Sequence, residues 1–214
     1  RATKARVHLC RLSSAAGVEL VRRAKAEGLP VTADVSINSL HLTDVDIGYF
    51  NPDMRLTPPL RQQADRDALR AALADGTIDA LVSDHNPVAE DMKNLPFGEA
   101  EPGATGLELL LSLALRWGTD AGLPLAKTLA RVTQAPVRVL GDAVGSLASS
   151  AGRLVEGGVA DVCLFDAAAE WRVTPDQLAS QGKHTPFAFA ATGMALPGRV
   201  RATLVAGTVA YEAA

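Results

Sequence analysis

The chain has 214 residues, with 21 Lys and Arg against 24 Asp and Glu and a formal net charge of −3. Hydrophobic residues make up 48% and charged residues 21%, which supplies a core and excludes a disordered chain. The balance lacks the basic excess of a nucleic-acid binder, and no run reaches the ~20 apolar residues that span a bilayer.

The opening Arg1-Ala2-Thr3-Lys4 lacks the apolar stretch of a secretory signal, so a cytoplasmic location is expected. Ala5–Cys10 reads as a short buried strand. Ser13 and Ser14 are good N-caps, Val18, Val21 and Ala24 recur at helical spacing, and Gly28 stops the helix. Pro30–Val35 reads as the next strand, completing a β-α-β unit with parallel strands. An irregular stretch then runs from Ser36 to about Leu60. Gln63–Asp75 carries an alanine and leucine stripe and reads as a helix ended by Gly76. Ile78–Ser83 is a third strand, followed by Asp84-His85.

A loop rich in Pro, Gly and acidic residues leads to two helices, at about 106–122 and 124–132. This alternation predicts a parallel α/β barrel or a doubly wound sheet. Beyond a cluster of small residues at 141–151 the pattern changes. Short strands at 160–166, 171–173, 199–205 and 209–211, with Gly turns, predict an antiparallel β appendage. Cys10 and Cys163 each sit in an apolar run, and buried free thiols are expected rather than a disulfide.

Barrel folds place chemistry at strand ends. The candidates are Cys10-Arg11, Asp34 and Asp84-His85. A carboxylate such as Asp84 at the end of an apolar strand can bind metal, take a proton from metal-bound water or anchor an Arg. The structural alternatives for it are a helix cap or a salt bridge. Asp34 reads as a structural hydrogen-bond acceptor and His8 as a satisfied buried residue. His184 belongs to the β appendage, distant in sequence from any candidate site.

Several stretches, in order, resemble the C-terminal half of a dihydroorotase, a family of the amidohydrolase superfamily. They include His8-Leu9-Cys10-Arg11-Leu12-Ser13, Leu29-Pro30-Val31-Thr32-Ala33-Asp34, Pro58-Pro59-Leu60-Arg61, Ser83-Asp84-His85-Asn86-Pro87 and Val205-Ala206-Gly207-Thr208-Val209. The resemblance implies an α/β fold: part of a (β/α)8 TIM barrel, about strands six to eight with their helices, plus the C-terminal segment of a small β-sandwich. The implied division is 1–146 and 147–214. Three strands cannot close a barrel, so the N-terminal half is expected from a longer product, another chain or oligomerisation.

The resemblance also implies zinc, held by a His-x-His pair, a carboxylated Lys or an Asp, His residues ending strands five and six, and the strand-eight Asp. Asp84 matches that last position and would be both metal ligand and catalytic base or acid if the protein is active. The other positions depart from the family. Arg11 stands at the strand-six His ligand, and a guanidinium has no lone pair to offer a cation. Asn38 and Ser39 replace a His pair, Thr57 replaces an Asn, and Val88 replaces a substrate-contacting His. His41 lies near the lost pair but is shifted in register.

These departures make the chain most similar to the catalytically degenerate dihydroorotase-like proteins of pyrimidine biosynthesis. The resemblance therefore implies a non-catalytic role with no cofactor, supporting assembly of the aspartate transcarbamoylase catalytic subunit in an oligomer. The alternative is an active cyclic amidohydrolase interconverting N-carbamoyl-aspartate and dihydroorotate, with zinc held by the missing half. In a third reading, Arg11 fills the metal space and recognises a carboxylate or phosphate.

Overall fold

The computed structural model describes residues 2–145, 147–188 and 193–213. Residue 146, where the expected division falls, lies outside them.

The N-terminal part is a β-α-β-α-β arrangement. Strand β1 (Val7–Leu9) leads to helix α1 (Ala15–Ala26), strand β2 (Val31–Ser36), the short helix α2 (Ile37–His41), helix α3 (Gln63–Asp75) and strand β3 (Ala80–Val82). The Ser14 hydroxyl caps α1 by accepting from Gly17 N–H at 3.2 Å, as the Ser-rich N-terminus predicts. Helix α3 starts and stops where its alanine stripe does, and Gly76 leaves it in the left-handed region at φ 89°. The strands form a parallel sheet in the order β1-β2-β3, with Val7 opposite Val31 and Asp34 opposite Ala80.

Alternation along the strands sorts the side chains onto two faces. Val35 and Leu81 lie under the helices, in one cluster with Val18, Leu69, Leu73, Leu113 and Trp117. His8, Cys10 and Asp34 gather on the other face. The expectation of a buried first strand is corrected: Val7 and Leu9 are 42% and 41% exposed. Among the described residues β1 is an edge strand, paired only with β2. The "irregular" stretch after β2 is also more ordered than expected, holding α2 and 3-10 turns at Asp44–Ile47 and Pro52–Met54.

Helix α4 (Glu90–Lys93) precedes α5 (Leu110–Asp120), α6 (Leu125–Ala130), α7 (Gln134–Leu140) and α8 (Leu147–Ser150). Strands β4 (Val162–Val173), β5 (Met194–Val205) and β6 (Thr208–Glu212) then form an antiparallel sheet. The two expected strands at 160–166 and 171–173 are one strand, β4, with register shifts between Leu164 and Phe165 and between Asp166 and Glu170. Helix α5 joins the two halves: Trp171 Nε1–H donates to Ser112 Oγ at 3.0 Å, and that hydroxyl faces the Gly198 carbonyl at 3.3 Å. Both cysteines are free, as expected, but they are exposed rather than buried. Cys10 follows an edge strand, and Cys163 lies in β4 beside the exposed Leu164.

The α5–α6 contact requires a glycine. A Cβ on Gly118 would meet the buried Thr128, 2.6 Å from its Cγ2 and 2.9 Å from its Cβ. Gly→Ala inside a helix ordinarily gains about 1 kcal/mol. Gly118→Ala is expected instead to cost about 1–3 kcal/mol through overpacking. Equilibrium urea unfolding checks the sign, and Gly118→Ala with Thr128→Ala should recover part of the loss.

Candidate functional site

Parallel strands bring their following loops to one edge of the sheet, so the residues after β1, β2 and β3 converge. Arg11 lies two residues beyond β1, Asn38 and Ser39 open α2, and Asp84 lies two residues beyond β3. Arg11 and Asp84 both have positive φ, 56° and 49°. Such backbone costs about 1–3 kcal/mol per residue and persists where surrounding bonds impose it. At Arg11 the bonds are visible: its N–H donates to Asp34 Oδ1 at 2.7 Å, and Leu12 N–H donates to the Asp34 carbonyl at 2.9 Å.

These turns aim Arg11 at Asp84. The guanidinium Nη1 donates to Asp84 Oδ1 at 3.1 Å and to the Thr57 carbonyl at 3.0 Å. The Asp84 side chain is 12% exposed and that of Arg11 44%. A half-exposed pair of this kind adds only about 0–1 kcal/mol to stability. Its consequence is chemical, because a cation sits on the carboxylate that would otherwise receive a proton or a metal. The pair lies in a cleft of about 350 Å³ that also includes Asn38, Thr57, Asn86, Glu101 and Gly103.

Four of the residues singled out in the sequence, Arg11, Asn38, Thr57 and Asp84, therefore share one cleft. Two do not. Ser39 is buried in α2. Val88 is also buried and lines a neighbouring, larger cleft of about 610 Å³. That cleft is bigger, but the smaller one gathers the strand ends and is the candidate site. His184 lines the larger cleft, with Nδ1 2.8 Å from Asp53 Oδ1.

The other histidines have structural partners. His85 Nδ1 accepts the N–H groups of Gly106 and Leu107, both at 3.2 Å, and so caps the turn at Leu107–Leu109. His8 bonds Thr32 Oγ1 through Nδ1 at 2.8 Å and Asp34 Oδ2 through Nε2 at 2.9 Å. His41 turns away from the cleft: Nε2–H donates to the Leu113 carbonyl at 3.0 Å, and the ring packs edge-on against Phe187. Burial, reinforced by the Arg70 charge, pushes its pKa down to about 3. Asp34 is the acceptor that the sequence suggests, bonded to the Arg11 backbone and to His8.

Sequence reasoning missed the second wall of the cleft. Glu101, Pro102 and Gly103 come from the loop before α5. Gly103 was the available signal: at φ 146° its backbone presses on Asn86, where a Cβ would lie 2.5 Å from the carbonyl oxygen. Lys93 was also missed. It is buried, and its ammonium donates to the carbonyls of Pro52 at 2.9 Å and Arg55 at 3.3 Å, tying α4 to the 52–55 turn. Burial holds its pKa below the ordinary lysine value.

Of the zinc ligands that the resemblance implies, the described lining of the cleft retains the Asp84 position. Asp84 and Glu101 are its carboxylates, no imidazole is among its described lining residues, and Arg11 places positive charge beside Asp84.

No protein-family model matches the chain. It is similar to the "Dihydroorotase-like protein" of Pseudomonas aeruginosa, 42% identical over 207 residues, which are 97% of this chain and 46% of the relative. It is also similar to the "Dihydroorotase" of Anaeromyxobacter dehalogenans, 39% identical over 212 residues, covering 98% of this chain and 46% of the relative. Among solved structures, the L-hydantoinase (dihydropyrimidinase) from Arthrobacter aurescens superposes with a TM-score of 0.85 at 30% identity, over 99% of this chain and 46% of that one. The D-hydantoinase from Thermus sp. gives 0.85 at 22% identity, with the same shares covered, and attests the fold alone. The chain spans about half the length of the relatives it matches. No helix among the described residues is long and apolar enough to cross a membrane.

Proposed function

Because the chain belongs to the dihydroorotase family of the amidohydrolases, we propose that it is part of a dihydroorotase-like protein of pyrimidine biosynthesis that no longer catalyses ring opening or closure. In this reading β1, β2 and β3 stand for strands six, seven and eight of an eight-stranded barrel. Residues 1–146 are the barrel part and 147–214 the β-sandwich segment. The retained fold supports assembly of the aspartate transcarbamoylase catalytic subunit.

One observation carries the proposal: Arg11 Nη1 lies 3.1 Å from Asp84 Oδ1. The resemblance puts Arg11 at a zinc-binding His and Asp84 at the carboxylate that handles the hydrolytic water's proton. A guanidinium cannot donate a lone pair, and beside Asp84 it occupies one carboxylate oxygen and repels a cation. Loss of the imidazoles at Asn38 and Val88 points the same way. The intact protein carrying this chain is expected to show no interconversion of dihydroorotate and N-carbamoyl-aspartate above background, and Asp84→Asn should leave that baseline unchanged. Turnover that falls on Asp84→Asn refutes the proposal. Comigration with the aspartate transcarbamoylase catalytic subunit in gel filtration tests the assembly role.

A second reading, an active cyclic amidohydrolase, draws on the mostly buried Asp84 carboxylate at a strand end and on the 39% identity to a relative named dihydroorotase. The same assay separates the two.

A further inference from the structure

We propose that His8, Cys10 and Asp34 form a binding site for one thiophilic divalent metal ion, with zinc the expected occupant, distinct from the Arg11–Asp84 cleft. One ligand atom from each of the three side chains lies within 4.8 Å of the others. The strand geometry explains the convergence. His8 and Cys10 are two residues apart and share a face, and the β1–β2 register, with His8 opposite Thr32 and Leu9 opposite Ala33, carries Cys10 to the level of Asp34.

The supports around these donors suit coordination. A metal-binding imidazole usually gives its second nitrogen to a hydrogen-bond partner that fixes the ring. Thr32 Oγ1, 2.8 Å from His8 Nδ1, does so here and leaves Nε2 directed at Asp34 Oδ2. Asp34 is oriented in turn by the Arg11 N–H on its other oxygen. A metal entering between Nε2 and Oδ2 displaces the proton they share, and the Cys10 thiol loses its proton on coordination. Thiolate and carboxylate together cancel the charge of a divalent ion.

A sulfur, nitrogen and oxygen set selects zinc over magnesium or calcium, which prefer all-oxygen shells. Three protein ligands leave a fourth tetrahedral position for water. The Arg11 guanidinium does not compete, since its Nη1 is engaged by Asp84 and Thr57.

The test uses cobalt(II), whose thiolate complexes absorb in the near ultraviolet, titrated into the intact protein. The expected result is a thiolate-to-cobalt charge-transfer band that saturates at one equivalent and is bleached by zinc. Cys10→Ser should abolish the band with an unchanged circular dichroism spectrum, and Cys163→Ser should preserve it. Thr32→Val should weaken binding about tenfold through the lost support of the ring. No band, a band that survives Cys10→Ser, or a band that zinc leaves intact overturns the proposal. Metals bound as in the family's hydrolytic centre have no cysteine ligand and give no such band, so this outcome is independent of the activity assay.

Discussion

Trp117→Ala is expected to lower stability by about 3–5 kcal/mol, the range for removing a fully buried aromatic side chain. Trp117 is 0% exposed and lies in the same apolar cluster as Leu113 and Leu73. That cluster also contains Leu196 of β5, so the indole sits in a core shared by the parallel and antiparallel parts. The neighbours come from several elements and cannot all relax into the space. Among the described residues the indole Nε1 has no hydrogen-bond partner. Trp117→Phe therefore breaks no hydrogen bond seen in the structure and loses only part of the ring volume, and should cost less than half as much. Urea unfolding with an unchanged m-value checks both variants. Equal losses for alanine and phenylalanine would show that the packing account is wrong.

The second large effect is a loss of stability in acid that traces to His41. Burial is the main cause of its depressed pKa, with Arg70 and then Arg116 acting in the same direction. The Leu113 carbonyl and Asp120 oppose them. Its folded pKa is about 3 against an ordinary value of 6.5. Above pH 6.5 neither state holds the proton and the full stability is present. Between 6.5 and about 3 the unfolded chain takes up a proton that the folded chain refuses, so stability falls as pH falls, by about 1.4 kcal/mol per pH unit. Over the two units from pH 6.5 to 4.5 this group should remove roughly 2–3 kcal/mol. His41→Gln should flatten that part of the profile, with urea midpoints at the two pH values as the measurement. A variant that keeps the full slope would assign the acid sensitivity to carboxylates instead.

The sequence was most legible where structure is set locally. Helix α3 runs over Gln63–Asp75 as its stripe and Gly76 indicate, and Ser14 caps α1. Caps, apolar spacing and glycine stops act within a few residues, and one segment contains all the information. The convergence of Arg11, Asn38, Thr57 and Asp84 was partly legible, because parallel strands send their ends to one edge. Burial was the weak point. The apolar runs at Val7–Leu9 and around Cys163 suggested interior positions, yet both are exposed. Whether a run is covered depends on what packs over it, and no feature of the run itself records that.

Residue identities and local periodicity were enough to determine the alternation of strands and helices, the β-rich end, and the presence of a cation and a carboxylate at two strand ends. Only the tertiary structure decided that these two charges meet, across 73 positions of sequence. It also decided that His41 faces the core and that His8, Cys10 and Asp34 share one face. The reason is geometric: sheet register and the φ angles of Arg11 and Asp84 set where a side chain ends, to within the few ångströms over which ion pairs and coordination operate.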